Sequence, residues 1–290
     1  MKILLTGALG QVGWELQRTL SSLGKVVATD RRSLDLTNER AIRAAIRAFR
    51  PDWVVNAAAY TAVDDAERDE PAAMWMNAAV PRILAEEVER LSGWMVHYST
   101  DYIFDGSGTR PYREDDPTAP LGAYGRSKLA GELAMAATGA NYLLFRAAWI
   151  YGTRGRNFLR TIQRLAREQV GLRVVSDQVG VPTWSRQVAE ATALVMAQRP
   201  SVDQMGVYHL AGDDSCSWHT FAEEILRLDP DPRTLTATTV HPITSTELST
   251  LARRPLYSVL DGSHGHEVFG VKLAPWSTQL AICMAEQRIG

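Results

Sequence analysis

The sequence predicts an α/β chain: a Rossmann-type doubly wound parallel sheet with a smaller, partly discontinuous C-terminal lobe. Three observations predict it. Short apolar runs alternate with helix-period segments through the first half of the chain. A glycine-rich turn stands directly between the first apolar run and the first helix. After residue 151 the alternation loosens into helices broken by Pro and Gly. The expected division is residues 1–151 as a dinucleotide-binding domain and 152–290 as mainly a substrate lobe, with some segments returning to the first domain.

Taken in order, strands are expected over 2–6, 25–29, 52–56, 94–99 and 142–146, with helices over 10–22, 38–49, 71–91 and 124–137 between them. The second helix has a polar starter in Asn38, an acid at Glu39 and a stop before Pro51. Residues 105–121, rich in Gly, Pro, Asp and Thr, are expected to form a loop at a cleft. A further helix is expected over 157–169, and no internal repeat appears.

Composition narrows the function classes. With 46% hydrophobic and 22% charged residues, the 290-residue chain has an ordinary globular balance. Its 31 basic and 33 acidic residues leave a net charge of -2, so no general nucleic-acid footprint is expected. The opening run Ile3-Leu4-Leu5 stops at Thr6-Gly7, too short for a signal core or a membrane span. Cys216 and Cys283 lie too far apart in sequence to suggest a disulfide framework or a metal motif, which fits a reducing cytoplasm. Glu15 reads as an exposed helix acid, and no metal site is inferred.

The glycine run is Gly7-Ala8-Leu9-Gly10-Gln11-Val12-Gly13. In such a turn Gly7 permits the tight bend, Gly10 lets backbone N–H groups approach a pyrophosphate, and Gly13 lets the helix lie close to the sheet. The first helical turn, with Gln11 and Val12, adds unpaired N–H donors and the positive end of the helix dipole. A bare glycine triplet also serves as a structural turn; the strand before it, the helix after it and Asp30 at the second strand's end select dinucleotide binding. Asp30 accepting from an adenosine ribose favours NADH, whereas a guanidinium of Arg31 or Arg32 suits the 2′-phosphate of NADPH. NADPH is the expected cofactor, with NADH as a second candidate. Ligands sit outside the carboxyl ends of parallel strands, which places Asp35-Leu36 by the adenine and Ala59-Tyr60-Thr61 by the nicotinamide.

Tyr124 and Lys128 are four residues apart on an expected helix, hence one turn from each other on one face. A free tyrosine has a pKa near ~10, and a neighbouring cation is expected to lower it toward a useful acid. Ketone reduction needs a proton on oxygen as hydride reaches carbon, which gives Tyr124 a role. Lys128 is also within reach of a nicotinamide ribose. Thr100, at the end of an apolar strand in Ser99-Thr100-Asp101-Tyr102, offers a hydroxyl to the same substrate oxygen, although Ser-Thr-Asp is also a good turn or cap.

Together the glycine run, Asn56-Ala57-Ala58-Ala59, Thr100, Tyr124 and Lys128 resemble the extended short-chain dehydrogenase/reductase family. The similarity covers nearly the whole chain, through Ala59-Tyr60-Thr61-Ala62-Val63-Asp64, His97-Tyr98-Ser99-Thr100-Asp101-Tyr102 and Asp177-Gln178-Val179-Gly180-Val181-Pro182-Thr183. The resemblance implies that Thr100, Tyr124 and Lys128 are the catalytic triad and that Tyr98 borders the cofactor. It implies that Thr100, Asp101, Tyr124 and Trp149 meet a sugar, with Arg254 toward its diphosphate. The implied reaction is reduction of the C4 keto group of a nucleotide-linked sugar by NADPH or NADH. Family members that dehydrate such sugars carry Thr-Asp-Glu, and here Tyr102 stands in the Glu position. Reduction or epimerisation of another nucleotide sugar, and a non-catalytic nucleotide-binding subunit, stay open as alternatives. A homodimer is the expectation from the prevalence of two-fold assemblies.

Overall fold

The structure is a computed structural model and describes residues 1–287. Its centre is a sheet of parallel strands: β1 (Lys2–Thr6), β2 (Lys25–Ala28), β3 (Trp53–Asn56), β4 (Trp94–Thr100), β5 (Asn141–Ala147) and a sixth strand, Gly206–Leu210. Their order is β2-β1-β3-β4-β5 followed by the sixth strand, all parallel. Parallel strands need crossovers, and helices therefore cover both faces. Ile3, Leu5, Val55, Val96 and Phe145 turn toward α1 (Gln11–Ser21) and its later neighbour. Leu4, Val54, Met95 and Leu144 turn the other way, toward α2 (Glu39–Phe49) and the helices after β3.

Local chemistry sets the helix ends. Asn38 caps α2 by accepting from Ala41 N at 3.1 Å, and the helix ends at Arg50, whose φ of 48° breaks it before Pro51. The single helix expected over 71–91 is in fact divided. Short α3 (Val63–Ala66) and α4 (Glu70–Met74) lead into a π-helical turn, Trp75–Ala79, which continues as α5 (Val80–Arg90). Such a turn widens the helix at one place, and hydrophobic period alone does not reveal it. Helix α6 (Ala123–Ala136) packs against it, so closely that a β-carbon at Gly131 would collide with Asn77 O.

In the second half, α7 (Phe158–Glu168) starts at the cap Asn157, and α8 (Ser185–Ala197) follows. A second core gathers Leu159 and Ile162 of α7, Phe221 of α9 (Trp218–Arg227) and Leu280 of the C-terminal helix Trp276–Glu286 around Tyr151 and Trp184. Helix α8 returns to the sheet layer, where Val188, Ala191 and Val195 pack with Val12, Leu16 and Leu20 of α1. That return corrects the reading of Glu15. It is only 6% exposed and pairs with Arg18 at 2.6 Å and with Arg186 of α8 at 3.3 Å. Among the described residues no helix is long and apolar enough to cross a membrane.

Candidate active site

The strand order reverses beside β1, so a crevice opens at the carboxyl ends of β1 and β3. It is a cleft of about 860 Å³. Gly7, Leu9 and Gly10 form one wall; Thr29, Asp30, Arg31, Arg32, Leu34, Asp35, Leu36 and Thr37 form the far end; Ala57 to Tyr60 and Met76 complete it. Of the expected cofactor residues, Thr61 is exposed and lies just past this lining. Leu9, Thr29, Leu34, Thr37 and Met76 are additional, with no sequence signal beyond nearness to a strand end or the π turn.

The glycine turn fits a pyrophosphate. Gly7 has φ 72°, and a β-carbon there would stand 2.5–2.7 Å from main-chain atoms of Ala57 and Ala58. A β-carbon at Gly13 would collide with Gly7 O. Gly10 caps α1 without any side-chain bond, which leaves the first-turn N–H groups free for an anion. The side chains of Gln11 and Val12 turn elsewhere: Gln11 Oε1 accepts from Asn157 Nδ2 at 2.8 Å, tying the turn to the start of α7, and Val12 is core. At the far end, Asp30 Oδ1 accepts from the main-chain N–H of Ser33 (2.9 Å), the Ser33 hydroxyl (2.9 Å) and Arg32 N (3.0 Å). These bonds, the Ser33 N–H foremost, hold its carboxyl below the usual range.

The other end of the cleft meets the helix that carries Tyr124 and Lys128. Tyr60 and Tyr124 share an apolar cluster with Ala66, Ala73 and Ala123. Asn77, in the π turn, accepts from Tyr60 N (2.8 Å) and donates to Tyr60 O (2.9 Å) and to Ser127 Oγ (2.9 Å). Ser127 donates in turn to Tyr124 O at 2.8 Å. Sequence reasoning missed Asn77; the signal available was an amide inside an otherwise apolar helical stretch.

Lys128 is buried, and its Nζ donates to Tyr98 O at 2.5 Å. Burial pulls its pKa down to about 8 against the support of Glu132, one turn further along α6. Tyr124 is half-buried. Burial pushes its phenol up to about 12, with the adjacent Thr100 hydroxyl opposing and Asp101 reinforcing. This reverses the expected direction, because desolvation outweighs any help from the neighbouring ammonium, which is directed at Tyr98 O. Tyr124 is thereby kept as a phenol, the form a proton donor requires.

Tyr98 gives the site its main-chain carbonyl only. Its ring packs on Phe145 and its hydroxyl lies 2.8 Å from that of Thr192 on α8, so the side chain expected beside the cofactor belongs to the core. Next to it, His97 Nδ1 accepts from Asn56 Nδ2 at 3.1 Å; burial and then the Lys128 charge hold this imidazole neutral. Thr100, paired in register with Ala147 of β5, accepts from Tyr102 N at 3.2 Å and donates to Asp101 Oδ1 at 3.0 Å. Asp101 is 2% exposed, and burial pushes its carboxyl up to about 6. The Tyr102 ring meets Tyr124 edge-on at 5.9 Å.

The remaining expected sugar contacts are further engaged. Trp149, at φ 48°, stacks on Trp218 at 3.5 Å and 5°, and Gly180 lies so close that a β-carbon there would reach within 2.5–2.7 Å of the Trp149 ring. Arg254 is paired through both its terminal nitrogens with Asp64, at 2.8 and 3.3 Å, and approaches the Tyr102 phenol. Its guanidinium is therefore partly neutralised where a diphosphate was expected.

Known proteins resemble this chain along nearly its whole length. The pattern of the family described as RmlD substrate binding domain matches residues 1–289. A dTDP-4-dehydrorhamnose reductase of Burkholderia thailandensis is 45% identical, over 99% of each chain. A probable dTDP-4,6-dihydroxy-2-methyloxan-3-one 4-ketoreductase of Streptomyces antibioticus is 44% identical, over 95% of this chain and 90% of its own. Among solved structures, dTDP-4-dehydrorhamnose reductase of Bacillus anthracis in complex with NADP superposes with a TM-score of 0.88 at 31% identity, covering 98% of this chain and 99% of that one.

Proposed function

The chain belongs to the RmlD substrate binding domain family, and from that premise we propose that it reduces the C4 keto group of dTDP-4-dehydro-L-rhamnose, giving dTDP-L-rhamnose, the last step in making that sugar donor. NADPH, with NADH as an alternative, supplies the hydride when bound. The observation that carries the reading is the meeting of Thr100, Tyr124 and Lys128 at the carboxyl end of β4, beside a glycine turn whose first-turn N–H groups are uncapped.

The chain's own residues account for the rest. Gly7, Gly10 and the N–H groups of Gln11, Val12 and Gly13 hold the pyrophosphate; Asp30, Arg31, Asp35 and Leu36 hold the adenosine end; Ala59 and Tyr60 border the nicotinamide, with Thr61 just beyond them. Thr100 and Tyr124 hold the C4 oxygen, and Tyr124 gives up its phenolic proton to it as the alkoxide forms. Lys128 keeps a positive charge beneath this point and offers its remaining hydrogens to the nicotinamide ribose. Asp101, Trp149 and Arg254 meet the sugar and its diphosphate. The expected setting is the cytoplasm, with a small-molecule nucleotide sugar as partner and a homodimer as the working assembly.

The test is oxidation of NADPH by purified protein given dTDP-4-dehydro-L-rhamnose, with dTDP-L-rhamnose identified as product. Folded protein that binds NADPH and does not turn over would overturn the assignment. The Streptomyces antibioticus relative supports a second reading, reduction of another dTDP-linked keto sugar. Higher kcat/KM for such a sugar in a direct competition would favour it.

A further inference from the structure

A hydroxyl has one proton to donate and two lone pairs to accept with. Thr100 Oγ1 accepts the Tyr102 N–H at 3.2 Å and points its proton at Asp101 Oδ1, 3.0 Å away. An ionised carboxylate is acceptor-only, so while Asp101 is charged the single Thr100 proton is committed to it. A substrate carbonyl oxygen is also acceptor-only, and the proposed reduction, on which this inference rests, needs both Thr100 and Tyr124 to donate to it. These two demands on one proton conflict.

We propose that Asp101 works as a neutral carboxylic acid that donates to Thr100 Oγ1 and so turns the Thr100 proton toward the substrate oxygen. Every valence of Oγ1 is then filled: one lone pair by Tyr102 N–H, the other by the Asp101 acid, the proton by the substrate. Asp101 is a positioning residue, acting through Thr100. Burial favours the acid, and outweighs the Ser258 and Thr100 hydroxyls and the Asp101 N–H, which favour the carboxylate. Asp101 is 2% exposed, and Oδ2 has no partner within hydrogen-bonding distance among the described residues. The groups that face it are the Ser258 hydroxyl, the Thr100 hydroxyl and the phenols of Tyr102 and Tyr124, none of them a cation. The nearest guanidinium, Arg254, stands beyond Tyr102 and is paired with Asp64. Burial already pushes the carboxyl up to about 6, and a bound diphosphate that excludes water pushes it the same way.

The experiment is kcat/KM against pH for wild type, Asp101→Asn and Thr100→Val, with NADPH affinity measured in parallel. Wild type is expected to fall about tenfold per pH unit once Asp101 ionises, above about 6. In Asp101→Asn the amide can donate to Oγ1 at any pH, so activity no longer falls above about 6, whatever the height of its plateau. It declines only as Lys128 loses its proton, near 8. Thr100→Val, slower throughout, is expected to lack the first limb too. An Asp101→Asn protein that binds NADPH and keeps the wild-type limb overturns the proposal.

Infrared difference spectra of wild type with NADP and dTDP-L-rhamnose give a readout free of turnover and of the variant's folding. A carboxylic-acid carbonyl band that is lost as pH rises above about 6 is expected, and its absence refutes the proposal. If wild type fails to turn over while the band is present, the substrate assignment is at fault and not the state of Asp101.

Discussion

Replacing Lys128 by methionine is expected to give a more stable and much less active protein. Methionine keeps most of the length of the side chain and discards the charge. Burial lowers the Lys128 pKa from 10.5 to about 8, which at ~1.4 kcal/mol per unit makes the buried ammonium cost about 3 kcal/mol at neutral pH. Losing its hydrogen bond to Tyr98 O returns roughly 1 kcal/mol. The net expectation is a gain of about 2 kcal/mol at pH 7. Because the folded pKa lies below the unfolded one, the unfolded chain binds the extra proton between about 8 and 10.5. Wild-type stability therefore rises with pH across that window, and the variant's advantage shrinks there. Denaturant unfolding at pH 7 and at the upper end of the window measures both quantities. A variant less stable than wild type at pH 7, or an advantage that does not change with pH, would refute the reasoning about burial.

Tyr124→Phe should lower kcat by about 10²–10⁴ with NADPH affinity unchanged, read by steady-state kinetics and by fluorescence titration of the cofactor. Glu132→Gln strands Arg146, which is buried and bonded to both Glu132 oxygens at 2.7–3.2 Å; a loss of about 3–5 kcal/mol in unfolding free energy is expected. The same change removes the charge that supports Lys128, so the alkaline fall of activity should move to lower pH. The Tyr151 hydroxyl is enclosed with no partner among the described residues. Tyr151→Phe should then be neutral or stabilising, by up to about 1–2 kcal/mol in the same unfolding assay.

The first five strands were legible because each is a short apolar run bounded by turn residues, and in a parallel sheet covered on both faces that is what burial demands. Gly206–Leu210 has a similar composition, yet nothing local marks it as the neighbour of β5; that pairing is made by the lobe between them. Glu15 was misread for the same reason, since the helix that buries it comes from the second half. At the site, the glycine turn and the Tyr124–Lys128 spacing could be read because backbone geometry fixes them. The upward shift of Tyr124, the inward ring of Tyr98 and the Asn77 clamp could not, because each depends on which way a side chain faces once the layers close.

The late arrival of α8 and of the sixth strand has a cost during synthesis. Until they leave the ribosome, the apolar flank of α1 has no cover and β5 is an open edge, the kind of surface that recruits wrong partners. Roughly 60 residues separate the end of β5 from the end of the sixth strand of the central sheet, about 3–12 s of translation. For that interval the nascent first half depends on chaperones or on speed, and slow codons between the two would be expected to lower the yield of folded enzyme without changing one residue of it.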